Sequence, residues 1–329
     1  MRWGFLGAGW IARQALAPAV HSAEGAVLHA VAARDPARAQ ALRPEGPVFP
    51  SYAALLADSG VDAVYISLTN EVHAEWAIAA LRAGKHVLCE KPLAMNVSEV
   101  DAMTSAAVEA GRLLVEASWY RWHPRVRAAQ HLLAGDAIGA VRHVATGFTF
   151  AGRLDGNYRL EPAFGGGALY DVGCYAVSAA QWAFGNAPVR DVVARHELGP
   201  TGVDLATDAV LSFDAGEAEI RAGINEPARQ WLVIRGDRGE LELPGAPFTS
   251  WVEDETQLLV SDGSRTERRT FPRLDAYRAM VEEISSVITG GPGWVLPLAE
   301  SRVTAAVLDA CFASAAHGGA PVEVAAPTD

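Results

Sequence analysis

A short apolar run over residues 2–6 leads directly into Gly7-Ala8-Gly9-Trp10-Ile11-Ala12. A helix-like stretch comes next over residues 10–22, with Ile11, Ala15, Leu16, Ala19 and Val20 on one side. A G-x-G-x-x-A pattern between a strand and a helix constrains the fold more than any other feature of the chain. Gly7 permits the tight turn, Gly9 lets a pyrophosphate approach the backbone, and Ala12 lets the helix pack closely on its strand. The helix N-terminus then offers N–H donors and a partial positive charge to the phosphates at Gly7–Ile11. A glycine-rich structural turn is the plain alternative. The strand-turn-helix context favours a bound dinucleotide.

The remainder of the first 119 residues fits that beginning. Apolar runs at residues 26–33, 63–68, 86–89 and 113–116 alternate with helix-like stretches. Asp35-Pro36 marks one helix start, Ser51 is read as the cap of a second, residues 71–83 form a third, and Ser98 is read as the cap of a fourth. Strand-helix alternation implies a parallel sheet with helices on both faces, a doubly wound Rossmann domain over residues 1–119. The pattern changes near Tyr120. After a helix at residues 125–134 and a strand at 141–150 come a glycine turn and helix (165–183). Strand-like segments without intervening helices then occupy 189–198, 206–213, 217–223, 230–235 and 257–260. Residues 120–329 therefore read as an α+β domain with a mostly antiparallel open sheet, closed by helices near 275–288 and 299–316.

Three further segments carry chemistry. At the end of the second strand stand Ala33-Arg34-Asp35-Pro36-Ala37-Arg38. An acidic residue there suits the ribose hydroxyl of NAD, whereas arginines suit a 2′-phosphate. Arg34 and Arg38 favour NADP; Asp35, also a natural helix cap, keeps NAD possible. Glu90-Lys91-Pro92 ends the strand His86–Cys89, where open α/β sheets bind ligands; the plain alternative is a surface Glu-Lys pair. Further on, Gly165-Gly166-Gly167 precedes Asp171 and Tyr175, an i, i+4 pair on one helix face that could orient a hydroxyl and relay a proton. The three glycines are read as leaving N–H groups free for a ligand. A capped helix start with a packed aromatic is the competing reading.

Composition narrows the classes. With 27 Lys+Arg against 39 Asp+Glu the net charge is −12, which argues against nucleic-acid binding. No apolar run approaches a membrane span, and the first residues lack the features of a secretory signal. Three separated cysteines fit a reducing cytoplasm. No H-E-x-x-H, short-spaced Cys/His set or G-x-S-x-G is present, so neither a metal nor a hydrolase elbow is expected.

The three motifs, in this order and spacing, resemble the glucose–fructose oxidoreductase/inositol dehydrogenase/MocA (Gfo/Idh/MocA) family over essentially the whole chain. Thr69-Asn70 and His73 are similar to that family's T-N-x-x-H segment. The resemblance implies hydride transfer between a nicotinamide cofactor and a sugar-like alcohol or ketone. Lys91 is then the catalytic lysine and Asp171 the helix aspartate that contacts substrate. Leu68, Thr69, Asn70, His73, Glu90 and Lys91 complete the cofactor set. It also implies dimers or tetramers through the C-terminal sheet. Many members carry histidine where this chain has Tyr175. The tyrosine, with Tyr120-Arg121-Trp122-His123-Pro124, resembles the branch of NADP-linked xylose dehydrogenases and dimeric dihydrodiol dehydrogenases. Lys91, Arg121, His123, Asp171 and Tyr175 are the expected substrate contacts. Tyr175 is the expected acid/base, with its high intrinsic pKa lowered by the Lys91 ammonium. The leading reading is an NADP-linked aldose 1-dehydrogenase. A nucleotide-sugar or keto-sugar reductase, with Arg153, Arg159 and Arg229 on a diphosphate, is the rival. A non-catalytic NADP-binding sensor or scaffold is the alternative of another class.

Overall fold

A computed structural model describes residues 1–152, 156–250 and 254–325. It divides into two compact units: Met1–Trp122 with Asp275–Ser301, and His123–Leu274 with Arg302–Asp329. In the first, β1 (Arg2–Leu6), β2 (Val27–Ala32), β3 (Val48–Phe49), β4 (Ala63–Ile66), β5 (His86–Cys89) and β6 (Leu114–Glu116) form a sheet of order β3-β2-β1-β4-β5-β6. Every pairing in it is parallel. Near-continuous apolar strands such as AVYI in β4 are buried along their whole length, as a sheet covered on both faces requires. The chain order reverses between β1 and β4, which is the switch point where doubly wound sheets take ligands. The helix after β1 opens with a wide π-type turn, Ala12–Leu16, before α1 (Ala17–Ser22). Next come α2 (Pro36–Gln40), α3 (Tyr52–Leu56), α4 (His73–Arg82) and α5 (Val97–Ala110).

Ser51 caps α3 as expected, its Oγ accepting from Ala54 N–H at 3.2 Å. The cap of α5 is different from the expected Ser98. Asn96 lies outside the helix with extended backbone and accepts from Glu99 N–H at 3.0 Å. Glu99 answers with a bond from Met95 N–H at 3.0 Å, a reciprocal box that leaves Ser98 one residue inside the first turn.

The second unit is built on a sheet of order β14-β13-β12-β11-β7-β10-β9-β8-β15. Its longest members are β7 (Val141–Ala151), β8 (Asp191–Leu198), β9 (Asp204–Ser212), β10 (Glu217–Gly223) and β11 (Asn225–Gly236). The others are β12 (Glu240–Glu242), β13 (Glu255–Ser261), β14 (Thr266–Pro272) and β15 (Val322–Glu323). The pairings are antiparallel except β7 with β10. The sheet is therefore mixed at its centre. α6 (Pro124–Ala134) precedes β7, and α7 (Cys174–Ala183) is buried throughout. Ala168 and Val172, just before α7, pack with Ala222 and Ile224 against Phe148, Phe150, Leu160 and Leu205. The opposite sheet face is charged: Arg221 pairs with Glu197, Asp208 and Glu226. Trp231 lies there over Gly147, where a side chain would collide with its ring. α8 (Ala276–Ile288) belongs to the first unit, and α9 (Leu298–Ala316) has its last fifteen residues in the second.

Replacing Asn96 by alanine should destabilise the protein by about 1 kcal/mol in urea unfolding, while Ser98→Ala should cost only a few tenths. The reverse order would restore Ser98 as the cap.

Candidate active site

The parallel register places Ala32, Leu6, Ile66, Cys89 and Glu116 in one row across the first sheet. Each motif of that unit starts within two residues of the row: Arg34, Gly7, Leu68 and Lys91 all project from the same carboxyl edge. Gly7 has φ +98°, and a Cβ on it would lie 2.7 Å from the Ser67 carbonyl oxygen, so the turn itself demands glycine. At Gly9 the nearest atom to such a Cβ is 3.7 Å away, ordinary contact. The protein leaves room at Gly9 that its own packing does not need. Ala8 and Ile11 are half-buried, Ala12 is fully buried, and Trp10 is 62% exposed beside the turn.

Asp35 caps α2, its Oδ1 accepting from Ala37 N–H at 2.9 Å and Arg38 N–H at 3.4 Å. Arg34 and Arg38 are exposed. Arg34 is close enough to Tyr52 to act on its phenol, although burial dominates and pushes that group up. Across the switch point, Thr69 donates to Glu71 at 2.8 Å and Asn70 is buried. His73 is fully buried, with Nδ1 3.0 Å from the Pro92 carbonyl and Nε2 3.2 Å from the Leu68 carbonyl. Its ring ties the loop after β4 to the turn after β5, and burial lowers its pKa. The Lys91–Pro92 bond is cis. Glu90 accepts from the Tyr65 hydroxyl at 2.6 Å and from Lys91 N–H at 3.3 Å. Glu116, missed in the sequence, is buried nearby. Burial raises its carboxyl, Ser301 and Leu93 lower it by hydrogen bonding, and the charges of Glu90 and Lys91 reach it. Lys91, half-buried, thus stands among buried carboxyls. An end-of-strand glutamate gives no local signal of that proximity.

Arg121 and His123 occupy closed surroundings. Arg121 is 2% exposed, pairs with Glu300 at 2.7 Å and lies 5.5 Å from the Trp294 ring. His123, in the second unit, accepts from Arg125 N–H at Nδ1, 3.1 Å, which assigns its proton to Nε2. That Nε2 has no hydrogen-bond partner among the described residues. Burial and the Arg125 charge push its pKa down to about 4, so the ring is neutral at physiological pH.

Also in the second unit, the glycine turn differs from its expected role. Its N–H groups are bonded within the chain: Gly165 to Pro162 O, Gly166 to Glu161 O and Gly167 to Arg159 O, at 3.1, 3.1 and 2.9 Å. A Cβ at Gly166 would lie 2.6 Å from the Arg159 carbonyl oxygen. The glycines serve close packing rather than an open anion cradle. A second wide turn, Leu169–Gly173, then carries Asp171 into α7. Asp171 is held bidentately by Arg159, Nε–Oδ2 at 2.6 Å and Nη2–Oδ1 at 3.1 Å. Burial lowers the Arg159 pKa, but the Asp171 charge and hydrogen bonds, with Tyr158 and Tyr175, raise it on balance. The charge of Tyr175 thus reaches the same guanidinium that holds Asp171. Tyr175 is 7% exposed and packs on Phe148 and Phe248, ring centroids 5.9 and 5.7 Å away. The Arg159 contact was not legible, because its twelve-residue separation from Asp171 is closed only by the folded turn. Arg229 stacks on Trp231 at 4.7 Å, on the sheet face away from Phe148. Arg153 lies outside the described residues.

Among the described residues, His143, Glu217 and Glu219 have ligand atoms within 4.8 Å of one another, on the exposed sheet face. No helix among the described residues is long and apolar enough to cross a membrane.

Known proteins resemble the chain in sequence and in fold. A model of an oxidoreductase family with an NAD-binding Rossmann fold matches residues 1–118, and the GFO/IDH/MocA C-terminal domain matches residues 126–242. A D-xylose 1-dehydrogenase (NADP+) of Haloferax volcanii is 37% identical, with 97% of this chain and 99% of that one covered. A 3-ketoreductase from Actinomadura kijaniata, crystallised with NADP and TDP-benzene, superposes with a TM-score of 0.88 at 29% identity. That match covers 95% of this chain and 97% of the other. An aldose–aldose oxidoreductase from Caulobacter crescentus with glycerol gives 0.87 at 26% identity, covering 98% and 99%.

The His123 environment has a measurable consequence. A folded-state pKa near 4, below the ordinary 6.5, contributes stability above 6.5 that is lost as pH falls toward 4. His123→Asn should flatten that loss, so denaturation midpoints of variant and wild type converge with acid. Parallel curves would show that His123 is not buried neutral.

Proposed function

The chain belongs to the Gfo/Idh/MocA oxidoreductase family, and from that premise we propose that it oxidises a small aldose at C1 with NADP+, the reverse reduction using NADPH. The observation that carries the reading is the buried Arg159–Asp171–Tyr175 set of the second unit, in a chain whose first unit has a nucleotide-type strand edge. Three features support NADP. The space at Gly9 fits a pyrophosphate approaching the helix start. Asp35 is engaged as a helix cap, away from a ribose role. Arg34 and Arg38 remain exposed beside the same strand end for a 2′-phosphate. Leu68, Thr69, Asn70, Glu90 and Lys91 complete the cofactor edge, and His73 braces it from behind.

Bound NADP+ supplies the acceptor for the hydride that leaves C1. The chain supplies the proton chemistry. Tyr175 as phenolate takes the C1 hydroxyl proton, while Asp171, held in place by Arg159, accepts a hydrogen bond from a neighbouring hydroxyl. A cyclic aldose that loses C1–H as hydride and O–H as proton becomes a lactone, with atoms and charge balanced. A phenol ordinarily near pKa 10 needs cationic neighbours to serve near neutrality. Arg159 is one such neighbour within the second unit; Lys91 is carried over as the family's catalytic lysine. Arg121 and His123 are kept as proposed substrate contacts, Arg121 through its pairing with Glu300 rather than a free charge. The family's sheet-to-sheet association is extended to this chain as a homodimer or homotetramer using the face that bears Arg221 and Trp231.

The aldose reading is favoured over a nucleotide-sugar substrate by the arginines. Arg159 is committed to Asp171, and Arg229 stacks on the opposite sheet face, so neither is offered to a diphosphate. The test is a panel of pentoses and hexoses with NADP+ and NAD+, monitored by nicotinamide absorbance. Reduction of NADP+ by an aldose supports the reading; nucleotide binding without turnover on any sugar would favour a sensor. With the substrate so identified, Tyr175→Phe should lower kcat by ~10²–10⁴-fold with NADPH affinity little changed, and near-normal turnover would remove Tyr175 from its role.

A further inference from the structure

The helical segment bearing Asp171 and Tyr175 begins without a side-chain cap of its own at Ala168. Its first N–H groups would be left unpaired in a buried setting, which is costly. A carboxylate from the sheet takes the place of a cap. Asp204, the first residue of β9, accepts at Oδ2 from Leu169 N–H at 2.7 Å and from the Thr207 hydroxyl at 2.8 Å. Since that hydroxyl gives its proton to Asp204, it accepts from His196 Nδ1 at 2.8 Å. The result is a directed chain from His196 through Thr207 and Asp204 to the start of the helix. Asp204 is 2% exposed, and a side chain at Gly167, where φ is +111°, would collide with its Oδ1. Gly167 is thus small because Asp204 must come close.

We propose that Asp204 is a positioning residue: its negative charge fixes where the helix begins and thereby where Asp171 and Tyr175 stand, so that turnover, and not nucleotide affinity, depends on it. The inference rests on the assignment of Tyr175 and Asp171 to the reaction. It does not derive from the family's catalytic residues, because Asp204 lies on a different element and touches only the backbone of the helix.

The charge has a working range. Burial pushes the Asp204 carboxyl up to about 6, against the hydrogen bonds from Thr207, Leu169 and Ala168 that lower it. From β8 it is faced, through Thr207, by His196, whose pKa burial lowers. From α9 it is faced by Cys311, pushed up to about 12 by burial and by Asp204. Cys311 stays a neutral thiol between about pH 6.5 and 8, whereas His196, with its pKa lowered by burial, can gain charge on the acid side. A raised carboxyl is ionised above its pKa, so the helix start meets a charged acceptor above about 6 and a protonated one below it; because burial raises that pKa, the charge costs global stability as pH rises through about 6 and serves position rather than stability.

The test measures kcat, kcat/KM and NADPH affinity from about pH 5 to 8 in wild type, Asp204→Asn, Thr207→Val and Tyr175→Phe. The wild-type acid limb should bend near 6. Asp204→Asn should lose about tenfold in kcat, keep its NADPH affinity and lose the bend. Thr207→Val removes a hydrogen bond to the charged form and should move the bend upward. Full turnover in Asp204→Asn, or a bend unmoved in Thr207→Val, overturns the proposal. In the latter case the titration would belong to another buried carboxyl such as Glu116. If Asp204→Asn does not fold, Thr207→Val decides alone. Normal turnover in Tyr175→Phe would count against the reading of the reaction itself, a separate outcome.

Discussion

The register of backbone hydrogen bonds in the six-stranded sheet is the constraint on which the first unit depends. Parallel pairing without offset sets Leu6, Ile66, Cys89 and Glu116 side by side. Every loop that leaves the sheet in that direction must then emerge at one edge. A one-residue slip of β5 would move Lys91 off the row and turn the buried faces of the strand outward. Burial of the central strands on both faces makes such a slip costly. The edge holds its loops by side chains as well. His73 sets its two ring nitrogens against the Leu68 and Pro92 carbonyls, donating to one of them, and Glu90 is fixed by the Tyr65 hydroxyl.

The second unit solves a different problem, the placing of charges inside a packed layer. Asp171 is buried, and a buried carboxylate must be paired to remain ionised. Arg159 supplies the pair in a fork geometry that also fixes the carboxylate's plane. The same guanidinium acts on Tyr175, so one cation serves an aspartate and a phenol. The wide turn at Leu169–Gly173 matters here. It departs from regular helical spacing where Asp171 lies, as the turn after Gly9 does at the other motif. Family membership says which reaction class this arrangement serves.

Much of this was legible in the chain. Strand-helix alternation over the first half and successive strands over the second gave the right architecture, because apolar runs in β1, β2, β4 and β5 are long enough to be buried and the intervening helices carry clear starts. Other features had no local signal. β14, read as TERRTFP, is mostly exposed and lacks an apolar alternation. β3 and β15 are two residues each. The parallel contact of β7 with β10 depends on chain topology, since both strands read as ordinary alternating segments. The glycine triplet was legible as a turn but not in its purpose, because its neighbours, the Arg159 carbonyl and the Asp204 carboxylate, come from distant positions. The same holds for Arg159 with Asp171 and for Glu116 with Lys91: sequence shows which residues are chemically able, and tertiary structure shows which are already engaged.

If the strand edge at Gly7–Ile11 is built for a nicotinamide dinucleotide, the space at Gly9 serves the ligand and not the fold. NADPH titration of wild type and Gly9→Ala, alongside the urea midpoint of each, separates those two duties. The wild type should bind saturably, Gly9→Ala should lose at least about tenfold in affinity (about 1.4 kcal/mol), and the two midpoints should coincide. Equal affinity in the two proteins, or no NADPH binding by the wild type, would refute a nucleotide role for this turn.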